Sequence, residues 1–221
     1  MSNIIWKGFK LGDLFLFDGS NQYPLTQKEA NIVDIKDTDH SVAAIAQSAK
    51  NNGIIGFISV DENNSEYITK NSMTFSMNFG ICFYHNYDYL LLDTHGSIFR
   101  LIPKNQTFEK ILLKNDSCNY FLAQIINKIC SKSIYNWQWK PNSQRSAKEI
   151  IMLPCLEVSK ENNYIWEENG KYFTLAVEYI QNLMEKAKEL KEQKTIRLYE
   201  AEKAKYEADY IKLKNKIVWK N

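Results

Sequence analysis

The side chains best able to do chemistry in this sequence are three histidines and four cysteines, and their spacing argues against most reactions they could support. His85 and His95 have Asp88 and Asp93 close by, a set that could hold a metal ion or pass a proton. The spacing matches no known ligand geometry, so surface polar residues on a strand-loop-strand explain it more simply. His40 stands in a run with Asp37 and Asp39, which reads as a solvated loop. Cys82, Cys118, Cys130 and Cys155 form no C-x-x-C pair, and they read as reduced core residues. The spacing leaves a Cys nucleophile with a His base open, but such a pair has no local signature here.

The catalytic motifs that announce themselves in sequence are missing. There is no G-x-x-x-x-G-K-[ST] phosphate loop, and the glycines at 8, 12, 19, 53, 56, 80, 96 and 170 make no G-x-G-x-x-G. The prolines at 24, 103, 141 and 154 are isolated, so the Asn/Asp-Pro-Pro-aromatic tetrapeptide of amino-methyltransferases cannot occur. H-E-x-x-H and Cys/His zinc spacings are absent as well. An enzyme with an unsignatured site is therefore the least favoured reading.

Two polar stretches point instead to binding. The first is Trp137, Gln138, Trp139, Lys140, Pro141, Asn142, Ser143, Gln144 and Arg145, with Lys148 beyond. It mixes cations that attract phosphates with amides that can read base edges. Trp137 and Trp139 read equally well as core anchors. The second is Gln47, Ser48, Lys50, Asn51 and Asn52. Turn chemistry alone explains Asn52-Gly53, but it explains Gln47 and Lys50 less well. The candidate DNA-binding set is thus Gln47, Ser48, Lys50, Asn51, Lys140, Gln144, Arg145 and Lys148.

The charge distribution agrees with this choice. The net charge is only +2, but residues 1–99 carry 6 basic and 11 acidic side chains while residues 100–150 carry 9 basic and 3 acidic. A local excess of that kind draws phosphates, although a solvated basic face would look the same. The first ten residues lack the apolar stretch of a signal peptide, and no apolar run approaches the ~20 residues of a membrane span. A cytoplasmic protein is expected.

The elements that must position these residues are mostly short strands. Residues 6–17 suggest an opening strand or short helix. Residues 54–60 are a β-branched run directly after Asn52-Gly53, a tight-turn signal. Residues 42–47 are ambiguous: the alanines favour helix, but a strand paired across the turn with 54–60 is equally natural. Residues 73–84 read as strands broken at Gly80, and 89–92 and 98–102 as further strands. In 117–130, Phe121, Leu122, Ile125, Ile126 and Ile129 fall on one helical stripe, with Asp116 or Ser117 as its cap. Residues 150–155 close the domain, and 156–171 read as a polar linker.

From about Tyr172 onward the pattern is helical. A heptad seam runs through Ala176, Ile180, Leu183, Ala187, Leu190, Lys194, Arg197, Ala201, Ala204, Ala208, Ile211, Asn215 and Val218. Only three of these are polar, which favours a coiled-coil seam. At 1.5 Å per residue the helix would be roughly 70 Å long. A domain of ~150 residues cannot cover such a stripe, so a second helix is expected. The predicted dimer interface is Ile180, Leu183, Ala187, Leu190, Ala201, Ala204, Ala208 and Ile211.

The order of these pieces resembles a known family. Trp6-Lys7-x-Phe9-x-Leu11-Gly12-Asp13-Leu14-Phe15 is similar to the start of a target recognition domain. Such domains occur in the specificity subunits of type I restriction-modification systems and their type IIG and IIB relatives. Gln47-Ser48 follows, then Asn51-Asn52-Gly53-Ile54-x-Gly56, Thr74-Phe75, and Gly80-x-x-Phe83-Tyr84. Tyr135, Trp137 and Lys140, then Lys148-Glu149-Ile150 and Leu153-Pro154, complete a match over about residues 6–155.

The resemblance implies an α+β fold: a mixed α/β recognition domain over 1–155, a linker over 156–171, and a long dimerisation and spacer helix over 172–221 that forms an intermolecular coiled coil. It also implies strand for 42–47. It implies a non-catalytic subunit that binds double-stranded DNA and positions DNA methyltransferase subunits and, where one exists, a restriction or translocase subunit. S-adenosylmethionine and ATP would bind those partners, leaving this chain without a cofactor. Family members of full length carry two domains and two helices, whereas this sequence shows one of each, so a homodimer is expected. The rival reading is a helix-mediated protein-interaction adaptor without DNA-binding activity.

Overall fold

The computed structural model describes residues 3–92, 96–130 and 143–218, with backbone alone at 143, 199, 202 and beyond 203. It is a mixed α+β chain with a long C-terminal helix. It divides into two compact units, Met1–Ile180 and Gln181–Asn221.

The first unit is built on three sheets. The opening segment is β1 (Ile4–Lys10), a single turn α1 (Leu11–Leu14) and β2 (Phe15–Asp18). It enters two sheets in succession, because Leu11, Leu14 and Phe15 at the bend are all buried. The central hairpin is β3 (Val42–Ile45) and β4 (Ile54–Ile58), followed by β5 (Ser72–Ser76), β6 (Ile81–His85), β7 (Tyr89–Leu91) and β8 (Ile98–Pro103). Two helices come next, α2 (Gln106–Lys114) and α3 (Asp116–Cys130), then the short α4 (Ser143–Ser146). The unit closes with β9 (Ile150–Val158), β10 (Trp166–Glu168) and β11 (Lys171–Leu175). The strand orders are β1-β9-β11-β10, β2-β8-β5-β6 and β4-β3-β7.

β3 explains the ambiguity of 42–47. It is a strand buried on both faces, with Ala44 and Val42 in one apolar cluster and Ala43 and Ile45 in the other. Alternate residues on a strand face opposite sides, and here both sides are so closely packed that small side chains fit best. β3 pairs antiparallel with β4 and parallel with β7, the pattern expected of an interior strand.

β6 ends its sheet, and its edge is covered by a side chain. The Asn127 amide of α3 accepts from the Cys82 N–H at 2.5 Å and donates to the Cys82 carbonyl at 2.9 Å. This substitutes for the strand that would otherwise pair there. α3 starts at Asp116, so Asp116 and Ser117, expected as its cap, lie in its first turn instead; the helix buries Leu122 and Ile126.

Three expectations need correction. Residues 156–171 are not a linker: β9 continues to Val158 and a β10–β11 hairpin joins the same sheet. Asn169 and Gly170 turn the hairpin with φ of 53° and 74°, the left-handed pair that suits a two-residue turn. Trp166 stacks on Phe9 at 4.1 Å and lies 5.7 Å from Phe108. The acidic residues that made the stretch look like a linker are exposed, and Glu157 pairs with Lys171 at 3.0 Å while Glu168 pairs with Lys7. The helix consequently starts later than Tyr172. Phe173 and Leu175 are buried strand residues, and α5 runs from Val177 to Val218. The compact unit therefore extends to Ile180 rather than ending at residue 155. Finally, α2 had no expected counterpart. The Asn105 side chain caps it by accepting from the Phe108 N–H at 2.9 Å, and Phe108 and Leu112, four apart on one face, are buried.

Candidate nucleic-acid interface

The connection from β3 to β4 is the most unusual backbone in the first unit. Asn51, Asn52 and Gly53 take φ of 49°, 54° and 79° in succession. Asparagine enters the left-handed region more readily than other residues with a Cβ, because its short polar side chain can hydrogen-bond locally, and glycine enters it freely. Gly53 donates to the Lys50 carbonyl at 2.9 Å and accepts from the Ala46 N–H at 3.2 Å. The Ser48 hydroxyl accepts from the Lys50 N–H at 3.1 Å. Lys50, Asn51 and Asn52 are exposed, while Gln47 and Ser48 are half-buried. Among the described residues the Gln47 Nε2 is buried without a hydrogen-bond partner.

Beside the turn, at the end of β6, the Tyr87 hydroxyl lies 2.9 Å from His85 Nδ1, and His85 Nε2 lies 2.8 Å from Thr74 Oγ1. His85 is completely buried, and burial depresses its pKa to about 3. It is therefore a neutral core residue rather than the surface residue expected. Asp88, the nearby carboxylate, is exposed and pairs with Lys70 at 3.6 Å. His95 and Asp93 lie outside the described residues. His40 packs on Asp37 at 3.0 Å, and hydrogen bonds, the largest from the His40 backbone N–H, hold the Asp37 carboxyl below the usual range.

The cysteines are core residues, as expected. All four are buried, and burial raises the thiol pKa to about 11 for Cys118, to about 12 for Cys130 and Cys155, and further for Cys82. Such thiols stay protonated and are poor nucleophiles. Among the described residues no three His, Cys, Asp or Glu side chains are gathered as a metal would require. A cavity of about 240 Å³ beside Arg100 is lined by Thr69, Lys70, Met73, Leu101 and Glu109 among others. The Arg100 guanidinium already pairs with Asp18 at 2.5 Å and with Thr69 at 3.2 Å.

The second candidate cluster rests on a different scaffold. Gln144, Arg145 and Lys148 are exposed on and just after α4. The segment is tied to the opening elements by Gly12 donating to the Ala147 carbonyl at 2.8 Å and Leu11 donating to the Glu149 carbonyl at 2.9 Å. A Cβ on Gly12 would meet the Ala147 Cβ at 2.8 Å, so this approach requires glycine. Lys140, Tyr135, Trp137 and Trp139 lie outside the described residues. Gly53 approaches Phe83 of β6.

The expected dimer residues divide along α5. Ile180 is 1% exposed and Ala176 2%. Both are core of the first unit, which removes Ile180 from any surface a partner could touch. Leu183 is half-buried, and Ala187, Leu190 and Ala201 are exposed. Leu190 is 66% exposed, and Ile196 and Leu198, which the seam did not include, are 57% and 58% exposed. Ala204, Ala208 and Ile211 lie on the helix, beyond the described side chains.

Comparison with known proteins gives a likeness in structure. No protein-family model matches the chain, and no curated protein matches it. Among solved structures, the chain is similar to a Type-I restriction-modification system S subunit from M. genitalium, with a TM-score of 0.42 and 13% identity over 66% of this chain and 34% of that one. The match thus spans about a third of that neighbour's length. Among the described residues no helix is long and apolar enough to cross a membrane.

Proposed function

We propose that the chain is a DNA specificity subunit of a restriction-modification system. It reads a short sequence with its first unit and pairs with a second copy through α5. The observation that carries the reading is the joining of two features. One is an exposed polar turn at Lys50–Asn52, closed by backbone hydrogen bonds of Gly53, in the order of motifs that resembles target recognition domains. The other is a 42-residue helix whose described middle exposes Leu190, Ile196 and Leu198. A lone helix leaves such side chains in water, and a partner helix would cover them.

In this reading Gln47, Ser48, Lys50, Asn51, Lys140, Gln144, Arg145 and Lys148 face DNA. The cations contact phosphates and the amides contact base edges. Leu183, Ala187, Leu190, Ala201, Ala204, Ala208 and Ile211 face the second copy. The chain is non-catalytic: DNA methyltransferase subunits, and a restriction or translocase subunit where one exists, supply the chemistry together with their own S-adenosylmethionine and ATP. The cytoplasm, where DNA and those partners meet, is the proposed location.

Duplex binding at several salt concentrations tests the proposal. The account expects affinity to fall linearly on a log-log plot against salt, as counterion release requires. The exposed apolar residues of α5 also favour an adaptor that pairs through its helix without touching DNA. Dimerisation with no salt-dependent duplex binding would establish that alternative.

A further inference from the structure

We infer that Phe79, at the tip of the β5–β6 hairpin, is a specificity-determining residue that meets a thymine methyl group in the major groove; the inference rests on the proposal that the Lys50–Asn52 turn faces DNA. An isolated apolar side chain in water is ordinary on a protein surface, so surroundings and position decide. Among the described residues, three aromatic side chains are exposed: Trp6, Phe79 and Tyr120. Trp6 stands edge-on to Tyr179 at 6.3 Å, and Tyr120 edge-on to Tyr84 at 5.0 Å. Phe79 is 45% exposed and meets no other ring among the described residues. The turn that carries it is closed. Ser76 pairs with Ile81 at its base, and the Gly80 N–H donates to the Ser76 carbonyl at 2.9 Å. Gly80 has a φ of 63°, which a glycine adopts without strain.

Three links place this tip at the same end of the first unit as the Lys50–Asn52 turn. A Cβ on Gly53 would lie 3.6 Å from the Phe83 ring, so the turn rests on β6, the strand that leaves the tip. Ile45, at the end of β3 that enters the turn, pairs with Leu91 of β7. Residues 92–97 then carry the chain to Ile98 of β8, which pairs with Ser76 at the base of the tip. The Met77 N–H donates to the Ser97 carbonyl at 2.9 Å, which fastens the tip to that connection.

The exposed residues at this end otherwise offer a cation and amides: Lys50, Asn51, Asn52 and Asn78. Such groups suit phosphates and polar base edges. The major groove admits a two-stranded β-ribbon, and the apolar mark it displays is the thymine methyl group. Phe79 is the side chain at the tip that matches it.

The test uses the full chain assembled with a methyltransferase partner and a duplex library randomised at the half-site. The unmodified chain should enrich a motif that contains thymine. Uracil, which lacks the methyl group, then replaces each thymine in turn. At one thymine of the half-site the replacement should weaken binding about fourfold, the worth of one buried methyl group. Phe79→Ala should weaken binding to the thymine duplex about tenfold, within the ~5- to 150-fold that one base pair of a specific site is worth. The variant should no longer distinguish uracil from thymine at that position, because both changes remove one contact. Its salt slope should match that of the unmodified chain, since an apolar contact releases no counterion. Its urea midpoint should match as well, since the ring is exposed. Unchanged affinity with Phe79→Ala would overturn the inference. So would a motif without thymine. A loss with Phe79→Ala that leaves the uracil effect undiminished at every thymine would also overturn it, and is the result expected of a ring wedged between base steps. If the unmodified chain enriches no motif, the DNA-reading proposal itself fails and takes this inference with it, an outcome seen before any variant is made.

Discussion

Mild acid should destabilise the first unit through His85, and the size of the effect follows from its burial. The imidazole is fully enclosed, and burial lowers its pKa from 6.5 to about 3. Between those values the unfolded chain binds a proton that the folded chain refuses. Stability therefore rises with pH in this window: the contribution is fully present above pH ~6.5 and is lost progressively as the pH falls towards 3. The slope approaches 1.4 kcal/mol per pH unit, so about 2 kcal/mol should be lost between neutral pH and pH 5. That is a large share of the roughly 5–15 kcal/mol that holds a typical domain together. The assay is urea unfolding at pH 7.5, 6.5, 5.5 and 5.0, at one fixed protein concentration because self-association would shift the midpoint. His85→Phe supplies the control. It should be less stable at pH 7.5, since the Thr74 and Tyr87 hydroxyls lose a partner at about 1–3 kcal/mol, but its stability should change little from pH 6.5 to 5. Parallel pH dependence in the two proteins would refute the assignment of a buried neutral histidine.

Three further outcomes follow. Glu at both Ala204 and Ala208 should convert a dimer at micromolar concentration, seen by light scattering, into a monomer, because charges enter a close-packed seam; a monomeric unmodified protein with a folded helix would sink the pairing model. Arg145→Ala and Lys148→Ala should each weaken duplex binding across sequences and flatten the salt slope by about one unit; unchanged slopes would move the phosphate contacts elsewhere. Trp166→Ala should cost about 2–3 kcal/mol in urea unfolding, less than a fully buried core tryptophan because the ring is half-buried, since it stacks against Phe9 and Phe108; a loss under 1 kcal/mol would restore 156–171 to the role of a linker.

The strands were legible where one face or a turn marked them. Residues 54–58, 72–76, 81–85 and 98–103 carry alternating or β-branched side chains, and each forms a strand close to its expected bounds. The alanines of 42–45 obscured a strand because small residues, which favour helix in isolation, fill an interior position pressed from both sides. The β10–β11 hairpin was missed because its acidic residues face solvent and only Ile165, Trp166, Phe173 and Leu175 report the sheet. The Asn169-Gly170 pair was the available signal. α2 was missed for lack of a long stripe, although Asn105 three residues before Phe108 was a readable cap.

At the candidate site, Asn52-Gly53 announced a turn, but the buried polar residues behind it were not legible. Thr74 and His85 are eleven residues apart and meet only through the β5–β6 pairing. His85 at a strand end beside Asn86 and Asp88 looked solvated. The heptad pattern of the sequence does not say where the globular core ends, and Ile180, placed on the expected seam, is buried in the first unit.

The most direct measurement of the central claim is methylation mapping after co-expression with candidate methyltransferase partners. Two copies paired antiparallel through α5 would be related by a two-fold axis, so each first unit would read the same half-site on opposite strands. The account predicts methylated sites that share an interrupted palindrome, that appear only when this chain is present, and whose gap shortens when one heptad between Lys194 and Ala201 is deleted while the half-sites stay the same. A methylation pattern identical with and without the chain would contradict DNA recognition, and a non-palindromic motif would contradict the homodimer.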